Sequence, residues 1–208
     1  MARRKKEDAL ATRHSLLDAA ELLFQAQGVS RTSLNDIAKL AGTSRGAIYW
    51  HFKDKADLFN AMMERVTLPL EQSFQDLGQR SEGDPLVRIC NGVQAALIRI
   101  ATDPRTRRVF EVATQKVEYV DELQAVRLRH LAARNEFLSQ VELGLQAAAT
   151  YQSAPLAVPA AIAAGGLHAI IDGLIQNWLL DSEAFDLIAV GLQVMDIYLA
   201  GLGLKQKK

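Results

Sequence analysis

The sequence predicts an all-α fold. No stretch alternates apolar and polar residues as a half-buried strand does, apolar residues recur three and four apart, and Gly and Pro punctuate the runs between. The first helix is expected from about Lys6 to Gln27, with Leu16, Ala20, Leu23 and Phe24 on one face and Gly28 as its stop. A second short helix follows from about Leu34 to Ala41. Ser33 stands at its cap, Asp36 completes capping-box spacing, and Leu34, Ile37, Ala38 and Ala41 make its apolar face. Gly42-Thr43 breaks the chain before a third helix from about Ser44 to His51. Asp54 can cap a fourth, carrying Leu58, Phe59, Met62, Met63 and Val66, which Pro69 is expected to kink or interrupt.

The remainder is helical too. Asp84-Pro85 is an N-cap followed by an N1 proline, and Leu86, Ile89, Val93, Leu97 and Ile100 then keep a helical spacing. Asp103-Pro104 repeats that start signal for a sixth helix. A long seventh is expected from about Asp121 to Thr150, a loop from Ser153 to Pro159, and two last helices over Pro159–Leu180 and Phe185–Leu202. The boundary near Lys55 is one of charge and helix length, with no flexible linker, so the expected domains are residues 1–55 and 56–208.

With 208 residues the chain can bury a large core without disulfides or metals. Apolar residues at 49% and charged residues at 23% exclude a disordered chain. The single cysteine, Cys90, excludes an internal disulfide and fits a reducing, cytoplasmic setting. The opening MARRKKED has no apolar run behind its charges, unlike a secretory signal. Residues 155–171 are mostly apolar, but they fall short of the roughly 20 residues of a spanning helix. They are rich in Ala and Gly, contain His168 and meet Asp172, so they read as a buried helix and no membrane partner is expected.

The net charge is zero but unevenly placed. Residues 1–55 hold 10 Lys and Arg against 6 Asp and Glu, while the rest hold 14 against 18. A basic head on an acidic body suits an anionic partner at the N-terminal end. The pair of short helices around Gly42 has the form of a helix-turn-helix, in which one helix braces and the next enters a DNA groove. Ala47, Ile48 and Phe52 can close a small core and leave Thr43, Ser44, Arg45, Gly46, Tyr49, Trp50 and His51 outside. Hydroxyls, Tyr49 and His51 can donate to phosphate, Arg45 can reach phosphate or guanine, and Gly46 allows close approach. On spacing alone a plain helical core, with Tyr49, Trp50 and Phe52 inside, is an equal alternative.

Residues 33–59, SLNDIAKLAGTSRGAIYWHFKDKADLF, closely resemble the DNA-binding signature of TetR-family repressors, most specifically in RGAIYWHFKDKADLF. The likeness extends to ARRKKEDALATR, QKVEYVDEL (residues 115–123) and DGLIQNWLL (172–180), where it is similar to the AcrR- and TtgR-like subgroup that controls multidrug efflux pumps. The resemblance implies an all-helical homodimer of about nine helices per subunit, with an N-terminal three-helix DNA-binding head and a larger ligand-binding and dimerisation body. It implies two partners besides the second subunit: double-stranded palindromic operator DNA and a hydrophobic small-molecule inducer that releases it. An endogenous metabolite is the alternative inducer, and a ligand-binding helical protein without DNA activity is the alternative class.

Carried over by position, the resemblance makes Ser33 the cap of the bracing helix and places Thr43, Ser44, Arg45, Gly46, Tyr49 and His51 towards DNA. Lys55 matches a phosphate-contacting lysine, and Arg3, Arg4, Lys5 and Lys6 match a basic arm whose other reading is a solubilising tail. The ligand positions it implies are Val66, Leu70, Ile89, Val93, Ala96, Phe110, Thr114, Phe137, Val141, His168, Ile171 and Asp172. Relatives carry Asn and His in place of Phe110 and Thr114, and Phe in place of His168, so the ligand range does not carry over. His168 and Asp172 stand four apart and either satisfy each other, face solvent or anchor a ligand.

Gly165, Gly166 and Gly173 with Leu192, Met195 and Leu199 fit a subunit interface or a monomer core. No nucleophile–base–acid set or metal-ligand spacing stands out among His14, His51, His130 and His168, and Cys90 reads as core. Glu111, Glu118 and Glu122 read as solvated helix charges. No enzyme activity, metal or cofactor is expected.

Overall fold

The computed structural model describes residues 2–75, 77, 83–118 and 121–205, with the side chains of residues 2–6 and 121 outside that set. Nine α-helices and one 3₁₀ turn form among the described residues: α1 (Ala2–Gln27), α2 (Leu34–Leu40), α3 (Arg45–His51), α4 (Lys55–Ser73), α5 (Pro85–Thr102), α6 (Pro104–Gln115), the turn Asp121–Leu123, α7 (Gln124–Gln152), α8 (Ala160–Leu180) and α9 (Leu187–Gly201). The local signals account for most boundaries. Asp84 caps α5 by accepting from the Leu86 N–H at 2.9 Å, ahead of Pro85. Asp186, not singled out from the sequence, caps α9 through the Ile188 and Ala189 N–H groups.

Two boundaries depart from expectation. α1 begins at Ala2, so the backbone of residues 3–6 forms its first turns. α4 runs through Pro69 without interruption and ends four residues later at Ser73. The proline forfeits one backbone hydrogen bond close to the helix end, where few further turns depend on it. The Ser73 hydroxyl donates to the Pro69 carbonyl at 3.0 Å.

By packing, the chain divides into two units. One holds the chain up to Thr67 together with Arg108–Leu131, and the other holds Leu68–Arg107 together with Ala132 onward. In the first, Leu16, Leu17, Ala20 and Phe24 of α1 are fully buried with Ile37, Ile48, Leu58 and Met62. Val109 and Val112 of α6 join the same cluster. Within this core lies a charge: Glu21 is 1% exposed. Its Oε1 accepts from Arg65 of α4 at 2.7 Å, and Arg108 of α6 lies 3.7 Å from its other oxygen. One buried carboxylate on α1 thus holds α4 and α6 together.

In the second unit close helix contacts are made over glycines. A Cβ on Gly191 would lie 2.5 Å from a Leu97 methyl, and one on Gly166 would lie 2.1 Å from the Tyr198 hydroxyl. That hydroxyl donates to the Ala163 carbonyl at 2.9 Å. Met195 and Leu199 are buried within the same chain. Met195 and Leu199 therefore belong to the monomer core, and half-buried Gly166 gives the Tyr198 side chain room to approach. Cys90 is likewise buried in α5. No helix among the described residues is long and apolar enough to cross a membrane.

Because removing one member of a buried pair strands its partners' charges, Glu21→Ala is expected to cost about 3–5 kcal/mol of stability. Chemical denaturation of the wild-type and variant chains measures this, and a loss under about 1 kcal/mol would show that Arg65 and Arg108 find solvent without it.

Candidate nucleic-acid interface

The first unit presents a compact helix-turn-helix. Ser33 caps α2 with a complete capping box: its hydroxyl oxygen accepts from the Asp36 N–H at 3.1 Å, and the Asp36 carboxylate accepts from the Ser33 N–H at 3.1 Å. Gly42 carries the reversal between α2 and α3 at φ +67°, where a side chain would be strained although no neighbour crowds it. Ser44 then caps α3, its oxygen accepting from the Ala47 N–H at 3.2 Å. The turn into α4 is set by Asp54, which accepts from the Asp57 N–H, and by Asp57, which accepts from the Lys53 N–H.

Seven residues of α3 divide their side chains by helical spacing. Ile48 and Phe52, four apart, are buried. Arg45 and Tyr49, also four apart, face outward, with the guanidinium 5.8 Å from the Tyr49 ring centre. Trp50 is 73% exposed and Tyr49 50%. Two large aromatics thus stand exposed beside a cation on one face of α3. This decides the question spacing left open: Phe52 is core, Tyr49 and Trp50 are not. Gly46 has an ordinary helical backbone and only the Ser44 hydroxyl, 3.8 Å away, near its missing Cβ. Nothing inside the fold demands glycine there, and a glycine within a helix costs about 1 kcal/mol relative to alanine.

Thr43 and His51 are half-buried at the two ends of this surface. The His51 ring meets Trp50 edge-on at 4.5 Å. Partial burial, and then the Arg13 cation, hold its pKa below the ordinary histidine value. A neutral imidazole is a single-proton donor, suited to a hydrogen bond more than to charge pairing.

An open groove of about 620 Å³ runs beside α3, walled by Ser30–Asn35, Arg45, Tyr49, Lys53–Lys55 and Glu122. Arg31, Arg45, Lys53 and Lys55 give it a cationic lining. Lys55, matched from the sequence to a phosphate-contacting lysine, is engaged within the fold. Its side chain is 9% exposed, donates to the Val29 and Ser30 carbonyls at 3.2 and 3.4 Å, and lies 3.4 Å from Glu122.

Sequence reading also missed the partners of three glutamates. Glu111 accepts from Gln25, Glu118 from Ser30, and Glu122 pairs with Lys55, so they tie α6 and the segment after it to the head. The Val29 N–H donates to the Lys116 carbonyl at 3.1 Å in the same seam. Their partners lie more than sixty residues away, and no local pattern announces them.

The twelve expected ligand positions do not gather in one unit. Val66, Phe110 and Thr114 lie in the first, and the Thr114 hydroxyl donates to the Phe110 carbonyl of its own helix. Leu70, Ile89, Val93, Ala96, Phe137, Val141, His168, Ile171 and Asp172 lie in the second. There Ile89, Val93 and Val141 are buried, and the Phe137 ring sits between Phe74 at 4.8 Å and His168 at 5.6 Å. Asp172 accepts from Gln176. No group of three or more His, Cys, Asp or Glu that could hold a metal occurs among the described residues.

Comparison with known proteins meets this geometry from outside. Residues 16–62 match the model for bacterial regulatory proteins of the tetR family. Residues 84–203 match the C-terminal region of the MAATS-type transcriptional repressors. The chain is 36% identical over 192 residues to the HTH-type transcriptional regulator TtgR of Pseudomonas putida, covering 90% of each chain. The structure of NalD, secondary repressor of the MexAB-OprM multidrug efflux pump of Pseudomonas aeruginosa, superposes with a TM-score of 0.86 at 35% identity. That match covers 93% of this chain and 98% of NalD. A SmeT–triclosan complex follows at 0.81 and 31%, covering 91% and 90%; SmeT represses the SmeDEF multidrug efflux pump of Stenotrophomonas maltophilia.

The capping box makes a prediction about pH. The Ser33 hydroxyl, then its N–H, hold the Asp36 carboxyl below its ordinary value of 3.8. A carboxyl depressed in the fold adds stability above its unfolded pKa and loses it as pH falls through the folded one. Wild type is therefore expected to melt above Asp36→Asn at neutral pH, the gap closing as pH drops below about 4. A gap unchanged by acid would remove the ionised carboxylate from the cap.

Proposed function

Given that the chain belongs to the TetR family of bacterial transcriptional regulators, we propose that it is a ligand-released repressor of a multidrug efflux operon, binding a palindromic operator as a homodimer in the cytoplasm. The observation that carries this reading is the outward face of α3, where Arg45, Tyr49 and Trp50 stand exposed beside a cationic groove. A single helix of seven residues reads few base pairs, so two heads at a spacing of about one helical turn or a multiple are required for specificity. Arg45 and Gly46 at the start of α3 meet base edges, while Thr43, Ser44, Tyr49 and His51 supply phosphate contacts. The Ser44 oxygen already accepts within the cap, so its hydroxyl proton remains to donate outward.

The inducer site of this reading is the apolar set around Phe137, Val141, Ile89 and Val93, with His168 and Asp172 as its polar anchors. Similarity to the triclosan-bound SmeT supports a hydrophobic, drug-like compound. Transmission runs through α4, one helix by chain that begins at Lys55 beside the groove and carries Val66 and Leu70. A ligand that shifts it changes the spacing of two heads, which DNA cannot follow.

Arg45→Ala and Tyr49→Ala are each expected to weaken operator binding by about 1–3 kcal/mol with the melting temperature retained, and binding should fall steeply with salt. Anisotropy titrations of DNA from upstream of the gene measure both. Full affinity in both variants would remove the proposed surface.

Linkage makes a second test. If inducer weakens DNA binding, operator must weaken inducer binding by the same factor, about 5–150-fold. Calorimetric titration of triclosan into free and operator-bound protein reads this directly. Equal affinities would leave a DNA-binding protein that this ligand does not release.

A further inference from the structure

In the groove the Lys55 cation, expected to meet DNA, is paired with the protein's own anion, Glu122. An ammonium has three N–H donors. The Lys55 Nζ has three partners, the Val29 carbonyl at 3.2 Å, the Ser30 carbonyl at 3.4 Å and the Glu122 carboxylate at 3.4 Å. The carbonyl partners belong to the turn after α1, and releasing them would strand acceptors beside the fully buried Val29. Glu122 differs. Its side chain is 58% exposed, so giving up Lys55 returns a carboxylate to water that already reaches it. It also stands in the groove wall with Arg31, Arg45 and Lys53, an anion where a phosphate would lie.

From this arrangement we propose that Glu122 is an intramolecular competitor of the DNA backbone for Lys55. A phosphate oxygen that approaches the Lys55 ammonium displaces Glu122 from its ion pair, and the exchange trades one anion for another while the two carbonyl hydrogen bonds persist. The proposal rests on the DNA-binding reading above. It deepens it by assigning an opposing, affinity-limiting role to a residue outside the helix-turn-helix.

The competitor is carried by the segment that follows α6. Glu122 lies on the turn Asp121–Leu123, and the chain just before it is pinned to the same turn after α1 by Val29–Lys116 and Ser30–Glu118 hydrogen bonds. The position of Glu122 over Lys55 therefore follows the seating of α6 on the head. A tightly seated α6 keeps the anion on Lys55, and a displaced one surrenders the lysine to phosphate. Exposed pairs of this kind are weak, so the effect on DNA affinity is a matter of several-fold, a trim of affinity and not a switch.

The test uses the full chain and a random-sequence duplex of about 30 base pairs, titrated by fluorescence anisotropy across a salt series. Glu122→Gln is expected to bind about 3–10-fold more tightly at low salt, with a salt slope steeper by up to about 0.9, one phosphate's share. Glu122→Lys, which reverses the charge, is expected to go further in the same direction. In a Lys55→Met background Glu122→Gln should change affinity by less than about twofold, since the competed cation is gone. Melting temperatures of all variants report that the fold is kept.

Unchanged or weaker binding by Glu122→Gln overturns the proposal, as does an equal gain in the Lys55→Met background, which would make Glu122 a general repeller of DNA. Failure of the wild-type chain to bind the duplex at all removes the DNA-binding reading and the proposal with it. Wild-type binding without a gain removes the proposal alone.

Discussion

A carboxylate buried to 1% exposure must be paired, and Glu21 is paired twice. Its partners, Arg65 and Arg108, come from α4 and α6, so the charge that α1 hides in the head can be satisfied only when both later helices are seated against it. An apolar contact at this point would tolerate sliding, because hydrophobic burial has no direction. A buried ion pair does not, since each small displacement lengthens a hydrogen bond in a medium of low dielectric. Asp18 adds a second acceptor for Arg65 at the same junction. The head is thus not three helices alone. It is a unit that recruits parts of α4 and α6 to complete its charge balance, and the geometry of α3 and its groove is built on that support.

The interface itself is made of short local devices fixed onto that base. The capping box at Ser33 and Asp36, the left-handed Gly42, the Ser44 cap and the Asp54–Asp57 turn each set one angle of the helix-turn-helix. Their combined result is a seven-residue α3 with Ile48 inward, Phe52 inward just past its end, and Arg45, Tyr49 and Trp50 outward. A helix this short has no independent stability. Its exposed aromatics are held in place by the packing of the opposite face, which is how a small element presents a rigid surface to a nucleic acid.

The segment from Glu111 to Glu122 connects the two themes. Read along the chain, its glutamates look like ordinary solvent-facing charges. In the fold they accept from Gln25 and Ser30 and pair with Lys55, all parts of the head. Residues that contribute nothing to the recognition motif thereby touch the loop and the lysine that border it. A family signature confined to the helix-turn-helix describes the surface that meets DNA, while the support behind that surface is distributed over the chain.

What the sequence alone determined is what short-range physics dictates. The all-α class, the order of helices, the caps at Ser33 and Asp84 and the break at Gly42 depend on hydrogen bonds and backbone angles within a few residues, and a chain displays those directly. Tertiary structure decided the rest. Phe52 and Tyr49 are both aromatic and three apart, and only the packing of Phe52 into the core of the first unit separates core from surface. The place of Met195 and Leu199 in the monomer core was likewise settled by neighbours distant in sequence. So were the partners of Lys55. A lysine's charge is legible at any position, but whether its three donors face a carbonyl, a carboxylate or open water depends on loops 25 and 67 residues away, and no local pattern encodes that.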